Sequence, residues 1–242
     1  MPQEVKPYDE QDGKKSQVSR MFDRIAPYYD FLNRLLSAGI DTIWRKRAIR
    51  QLRGYNVQTL LDVATGTADV ALEAARQLKP ERIIGIDISK EMLDIGRSKI
   101  SRRGLQSQIE LQVGDSENLP FPDNTFDAVT VAFGVRNYEN LEKGLAEMRR
   151  VLKNGGRLVV LEFSRPKIFP FKQLYNFYFA NILPLIGRLT SKDPKAYRYL
   201  YESVQAFPDG DDFIKILEKT GYKSNQCIPQ TLGICSIYTG EK

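Results

Sequence analysis

Five strand-like runs alternating with amphipathic helical runs constrain this chain more than any other feature. TLLDVA, RIIGIDI, IELQVGD, FDAVTVAF and RLVVLEFS are short and apolar, and ADVALEAARQL, KEMLDIGRSKISRRG and NLEKGLAEMRRVLK fall among them with helical spacing. Short buried strands separated by such helices build a doubly wound, mostly parallel sheet. The third helical run meets Asn154, Gly155 and Gly156, a combination that stops a helix. KSNQCIPQTLGICSIYTG then supplies two last strands with a hairpin around Thr231–Gly233. The expected architecture is therefore α/β and Rossmann-like, a seven-stranded mostly parallel sheet with an antiparallel end.

Two regions break the alternation. Residues 16–53 predict a helical cap of three short helices, SQVSRMFDRIA, YDFLNRLLS and DTIWRKRAIRQL, separated at Pro27 and Gly39. Residues 165–207 predict a helical insertion, in which Phe171, Leu174, Tyr175, Tyr178, Ile182, Leu185 and Ile186 fall on one stripe. Residues 1–15 are polar and of mixed charge and are expected to be disordered, leaving 16–242 as a single domain.

Composition narrows the chemistry. The chain contains no histidine, so an imidazole base, a Ser-His triad and a histidine-ligated metal are all excluded, and no metal is expected. Cys227 and Cys235 lack CxxC spacing and read as thiols of a reducing compartment. The start resembles no secretory leader and no apolar run is long enough for a membrane span, so a cytoplasmic protein is expected. Of the net charge of +6, much lies in WRKRAIRQLR. That helix is either a solvated face or a patch toward anionic lipid or nucleic acid.

The turn in LLDVATGTADVAL resembles a dinucleotide loop in which Ala64 and Ala68 flank Gly66. Asp62 ends the first strand, Gly66 lets backbone approach a ligand, and a helix N-terminus follows. Asp87, in GIDIS, falls at the end of the second strand, where a carboxylate accepts ribose hydroxyls, while Ser89 is the better cap for the next helix. Asp115, in GDSENLPF, follows the third strand, where an adenine amino group would be met. Polar groups at three successive strand ends point to a ligand site.

LDVATGTAD, GIDIS, GDSENLPFPDNTFD, FGVRN and RVLKNGGRLVVLEFSRP resemble the class I methyltransferases that use S-adenosylmethionine (SAM). FDRIAPYYDFLNRLLSAGIDTIW and YRYLYESVQAFP narrow the resemblance to the quinone C-methyltransferase family (UbiE/MenG), over residues 16–240. The resemblance implies SAM as cofactor, with Gly66, Thr67, Asp87, Ile88, Asp115, Ser116 and Phe133 in contact with it. It implies C-methylation of demethylmenaquinol, the last step of menaquinone biosynthesis, with the polyprenyl benzoquinol of the ubiquinone pathway as the alternative. A polyprenyl substrate implies a peripheral place at the inner membrane face, and a homodimer is compatible with the reading. Arg136, in FGVRN, would steady a quinol oxyanion or serve as a structural ion-pair partner. Tyr29, Tyr199, Tyr197 and Glu202 are further base or positioning candidates. A nucleic-acid methyltransferase is disfavoured, because AFGVRN stands where an NPPY-like loop would be and neither cysteine is near it, and the intact FGVRN segment argues against the other alternative, a non-catalytic SAM-binding protein. Three positions depart from the family pattern: Ala68 for glycine, Ala132 for serine and Asp41 for histidine. Ala68 is tolerable if its φ is negative, and Asp41 can cap its helix.

Overall fold

The computed structural model describes residues 5–8, 11–167, 169–170, 172–173 and 194–242. Its elements are α1 (Lys14–Leu36), α2 (Asp41–Arg50), β1 (Thr59–Val63), α3 (Asp69–Leu78), β2 (Arg82–Asp87), α4 (Lys90–Arg102), β3 (Ile109–Val113), β4 (Phe126–Ala132), α5 (Leu141–Val151), β5 (Leu152–Phe163), α6 (Pro194–Ala206), α7 (Asp211–Lys219), β6 (Lys223–Gln230) and β7 (Cys235–Glu241). The strands form one seven-stranded sheet in the order β3-β2-β1-β4-β5-β7-β6. All neighbours pair in parallel except β5–β7 and β7–β6. The expected sheet, its antiparallel end and the hairpin turn over Thr231–Gly233 are all present.

Each face of the sheet carries its own core. Leu60, Ile83, Ala128, Val159 and Ile237 meet Ala71 and Ala75 of α3 and Ile49 of α2 on one side. Leu61, Ile84, Val129, Leu158 and Tyr238 meet Leu145 and Met148 of α5 and Phe213 of α7 on the other. The strand order reverses between β2-β1 and β4, which opens a crevice at the carboxyl ends of β1 and β4. Ligands bind doubly wound sheets at such a switch point.

Several boundaries differ from expectation. Pro27 does not end a helix: α1 runs through it for 23 residues. Proline costs one hydrogen bond and some strain there, and burial of Val18, Met21, Ile25 and Ala26 against Met92 and Tyr199 offsets that cost. The break at Gly39 is present, with φ of 78°. The third helical run ends at Val151 rather than 153, because Leu152 pairs with Phe126 and enters β5. Within 1–15, Lys14 and Lys15 already belong to α1, and the buried Tyr8 donates its backbone N–H to Gln17. Residues 1–4 and 9–10 lie outside the described residues, as does the stripe expected over 171–186 apart from positions not used by it.

Candidate functional site

The turn after β1 is wound more tightly than its residues favour. Gly66 has φ of 55°, and Ala64 and Ala68 on either side also lie in the left-handed region, at 52° and 65°. The condition under which Ala68 would be strain-free is therefore not met. A left-handed alanine costs about 1–2 kcal/mol. Packing over-determines the conformation: Ala68 is fully buried, Thr65 donates its N–H to Ile86, and Ala68 donates to Thr65. The turn after β4 is strained as well. Phe133 has φ of 58°, and a Cβ on Gly134 would stand 2.6 Å from that of Ala64. The two turns touch, so only glycine fits at 134. Left-handed non-glycine residues gathered at two adjacent strand ends are characteristic of a functional site.

Asp87 fastens this arrangement. Its Oδ2 accepts the Gly66 N–H at 2.8 Å and its Oδ1 accepts the Ser89 N–H at 2.9 Å. Burial raises its carboxyl to about 6 despite those donors. Ser89 caps α4 by accepting from the Met92 N–H, as the sequence suggested. Asp87, Gly66, Ile88, Asp115, Ser116 and Phe133 line one cleft, with Phe22, Val18 and Tyr29 of α1 as its roof. The cleft holds about 70 Å³ of space for water-sized molecules, within a wider opening of about 680 Å³ that includes its mouth. Asp115 accepts the Glu117 N–H at 2.9 Å, and Lys15 of α1 reaches its other oxygen at 2.7 Å.

Thr67 stands apart from the others. Its hydroxyl donates to Asp30 of α1 at 2.6 Å and accepts from Lys99 at 2.9 Å, so its side chain ties α1 and α4 to the turn rather than lining the cleft. It borders an inner cavity with Tyr29, Arg45, Asp62, Asp69, Ala132 and Phe133. Asp62 is buried there, accepts the hydroxyls of Thr65 and Thr130, and is raised by burial to about 6. Arg45 is buried over the Phe133 ring, 5.5 Å from its centroid, and pairs with Asp41. Asp41 therefore does not cap its helix; Ile40 precedes it as the cap residue, without a side-chain bond. Burial pushes the Tyr29 phenol above its ordinary value, so it stays protonated at neutral pH.

Arg136 does not line the cleft. It lies beneath it, its side chain 4% exposed, with Nη1 at 2.6 Å from Oε1 of the fully buried Glu162. The same nitrogen donates to the Phe133 carbonyl at 2.7 Å, and the Arg136 N–H reaches Glu162 Oε2 at 3.4 Å. Burial pushes the Glu162 carboxyl up, while Arg136 pulls it down. Of the two roles weighed for Arg136, these contacts match the ion-pair one, which clamps the strained turn after β4 onto β5. Arg136 Nε is buried with no partner among the described residues. Tyr199 is buried on α6, and its hydroxyl bonds Oδ1 of Asn137 at 3.1 Å. It acts on the cleft through Asn137, which does line it. Glu202 is half-buried, 3.7 Å from Arg198, and the Tyr197 side chain lies outside the described residues.

The sequence reading passed over Asn137, Glu162, Arg45 and Lys15. Asp41 and Arg45 stand four residues apart on one helix face, a legible pairing signal. Glu162 is the penultimate residue of β5, inside LEFSRP, where an acid in an apolar strand marks a partner. Nothing local marks Lys15, whose partner is 100 residues away.

The profile of the ubiE/COQ5 methyltransferase family matches residues 10–242. The chain is 49% identical to the demethylmenaquinone methyltransferase of Bacteroides fragilis, over all of this chain and 99% of that protein. It is 49% identical to the ubiquinone/menaquinone biosynthesis C-methyltransferase UbiE of Geotalea daltonii, over 95% and 97% of the two. In fold it is similar to the crystal structure of a SAM-dependent methyltransferase from Thermotoga maritima, with a TM-score of 0.64 and 18% identity over 93% of this chain and 99% of that one.

Proposed function

This chain belongs to the ubiE/COQ5 methyltransferase family, and from that premise we propose that it methylates a ring carbon of a polyprenyl quinol, demethylmenaquinol in the first instance, using SAM. The observation that carries the reading is the cleft itself: a half-buried carboxylate at the end of β2 faces a strained glycine turn under an apolar roof, in a chain whose full-length relatives bear that substrate's name. The donor set fits the cofactor. Asp87 has carboxylate lone pairs beyond its two backbone donors, suited to a ribose diol. Asp115 and Ser116 suit the base edge, and Ile88 and Phe133 supply its apolar faces. Bound there, SAM supplies an electrophilic methyl on its sulfonium.

The chain's own task is to position and to dry. Phe22, Val18 and Met92 give the cleft apolar walls, and water driven out from between them and a bound substrate strengthens each polar contact inside it. Tyr29 borders both the cleft and the inner cavity, and as a protonated phenol it would hold a quinol oxygen by a hydrogen bond and take no proton. The ring carbon would gain the methyl as the S–C bond breaks and would shed its own proton to solvent as the ring regains aromaticity. Asn137, oriented by Tyr199 and by its bond to the Phe133 carbonyl at 3.3 Å, presents the amide next to it. Arg136 positions that turn through its pair with Glu162 and its bond to the Phe133 carbonyl. Alignment of acceptor carbon and methyl in a dry cleft supplies much of the acceleration.

The name of the Geotalea daltonii relative supports a second reading, in which the benzoquinol of the ubiquinone pathway is also accepted. Purified protein given SAM and each reduced quinol, with products separated by mass, tests both. Methylation of neither quinol would overturn the proposal.

A further inference from the structure

The outer side of α1 is built unlike the side that roofs the cleft. Tyr28, Phe31 and Leu35 stand at 56%, 61% and 47% exposure, and Ile43 of α2 at 46%. Spacings of three and four residues put the first three on one face of the helix, within about a 60° arc. Large apolar side chains gathered on one helix face rather than scattered mark an interaction surface.

Beside the stripe lies a hollow of about 350 Å³ bordered by Phe31, Arg34, Lys99, Arg102 and Arg103, with Asp30 and Asp69. Lys99 is neutralised by both acids at 2.6 Å. Arg34 is half exposed and only loosely held, 3.8 Å from Asp41 and from Asp69. Arg102 and Arg103 are exposed at the end of α4 without an ion-pair partner among the described residues. Lys46, Arg47 and Arg50 are exposed on α2, which also carries Ile43. At the hollow beside Phe31, Arg34, Lys99, Arg102 and Arg103 outnumber Asp30 and Asp69.

We propose that this face is a membrane-docking surface, which lays the outer side of α1 into an anionic bilayer with Phe31 and Leu35 among the acyl chains and Arg34, Arg102 and Arg103 at the phosphates. An in-plane helix with an apolar face and basic flanks has that placement. Arginine stems cover apolar surface while their guanidinium groups reach the headgroups. A polynucleotide would account for the arginines and the two rings, but Leu35 and Ile43 offer nothing to stack a base. Position supports the same occupant. Asp69 borders both the basic hollow and the inner cavity, and Tyr29, next to Tyr28, borders that cavity from α1. A bilayer on this face would lie against the outer side of the helix whose inner side roofs the cleft. The purpose of such docking rests on the quinol reading above, whereas the docking itself does not.

The test is flotation of the full chain with vesicles of phosphatidylcholine alone and with about a third phosphatidylglycerol. The parent is expected to float with the anionic vesicles and to lose most of that binding in high salt. Phe31→Ser with Leu35→Ser, and separately Arg102→Gln with Arg103→Gln, should each lower partitioning about tenfold, with unchanged melting temperature and unchanged turnover of a short-tailed soluble quinol. Absence of parent binding, or binding by both variants at the parent level, overturns the proposal. So does dimer dissociation or loss of polynucleotide binding in the Phe31/Leu35 variant without a change in vesicle binding. Failure to turn over any quinol would count against the quinol reading alone.

Discussion

Removing Arg136 should first cost stability. Arg136→Met retains length and apolar volume but leaves Glu162, which has no solvent exposure, beside an empty cationic position. Two hydrogen bonds from Nη1, at 2.6 Å and 2.7 Å, are lost together. Breaking a buried pair by deleting one partner costs about 3–5 kcal/mol, which for a chain of this size lowers Tm by roughly 6–20 °C. Glu162→Gln in the same background removes the stranded charge, while its amide oxygen can still accept from the Phe163 N–H, which now donates to the carboxylate at 2.8 Å. That double variant should regain about 2 kcal/mol or more, a coupling measurable by a double-mutant cycle from denaturant unfolding. The deficit of the single variant should also shrink as pH falls, because a stranded carboxyl can take up a proton instead of remaining charged. Turnover on demethylmenaquinol, measured on folded protein, completes the assay. A variant that melts with the parent yet loses roughly 10²–10³-fold in kcat would refute the structural role and assign Arg136 directly to the oxyanion.

Asp87→Ala should weaken SAM binding by about 1.5–3 kcal/mol in calorimetry, the scale of charge-assisted hydrogen bonds; unchanged affinity would remove Asp87 from the site. Because burial places the Asp87 carboxyl at about 6, SAM affinity should fall as pH drops through that value, and titrations between pH 5 and 8 showing a flat Kd would contradict it. Asp62 is raised to about 6 as well, so the fold holds a proton there that the unfolded chain releases near pH 4. Stability from this group therefore declines as pH rises from about 4 to 6 and is gone above it, a slope that Asp62→Asn should flatten in unfolding curves. In Ala68→Gly, relief of about 1 kcal/mol of left-handed strain opposes loss of one buried methyl, about 0.8 kcal/mol, so Tm should move only a few degrees and SAM affinity less than tenfold. Gly134→Ala drives a Cβ to 2.6 Å from Ala64, and an overpacking cost of about 1–3 kcal/mol should appear in its melting curve.

The sheet was legible because its signals are local. Strand runs, helix periodicity and the hairpin turn are properties of a few neighbouring residues, and the carboxyl-end positions of Asp87 and Asp115 follow once strands are placed. Gly66 and Ser89 were readable for the same reason, one for its backbone freedom and the other for its cap. The same local logic misplaced the helix break at Pro27, since burial against α4 and α6 compensates a donor lost within α1.

What the sequence by itself determined was the order of strands and helices and the ring of polar groups at their ends. Only tertiary structure decided what each polar side chain faces. It turned Thr67 toward Asp30 and Lys99, set Lys15 on Asp115, and joined Tyr199 to Asn137. It also buried Arg136 against Glu162, where a sequence reading had to hold two roles open. The physical reason is that these partners lie 26 to 100 residues apart along the chain. No periodicity links them, and the packing of α1, α6 and β5 around one crevice brings them within hydrogen-bond reach.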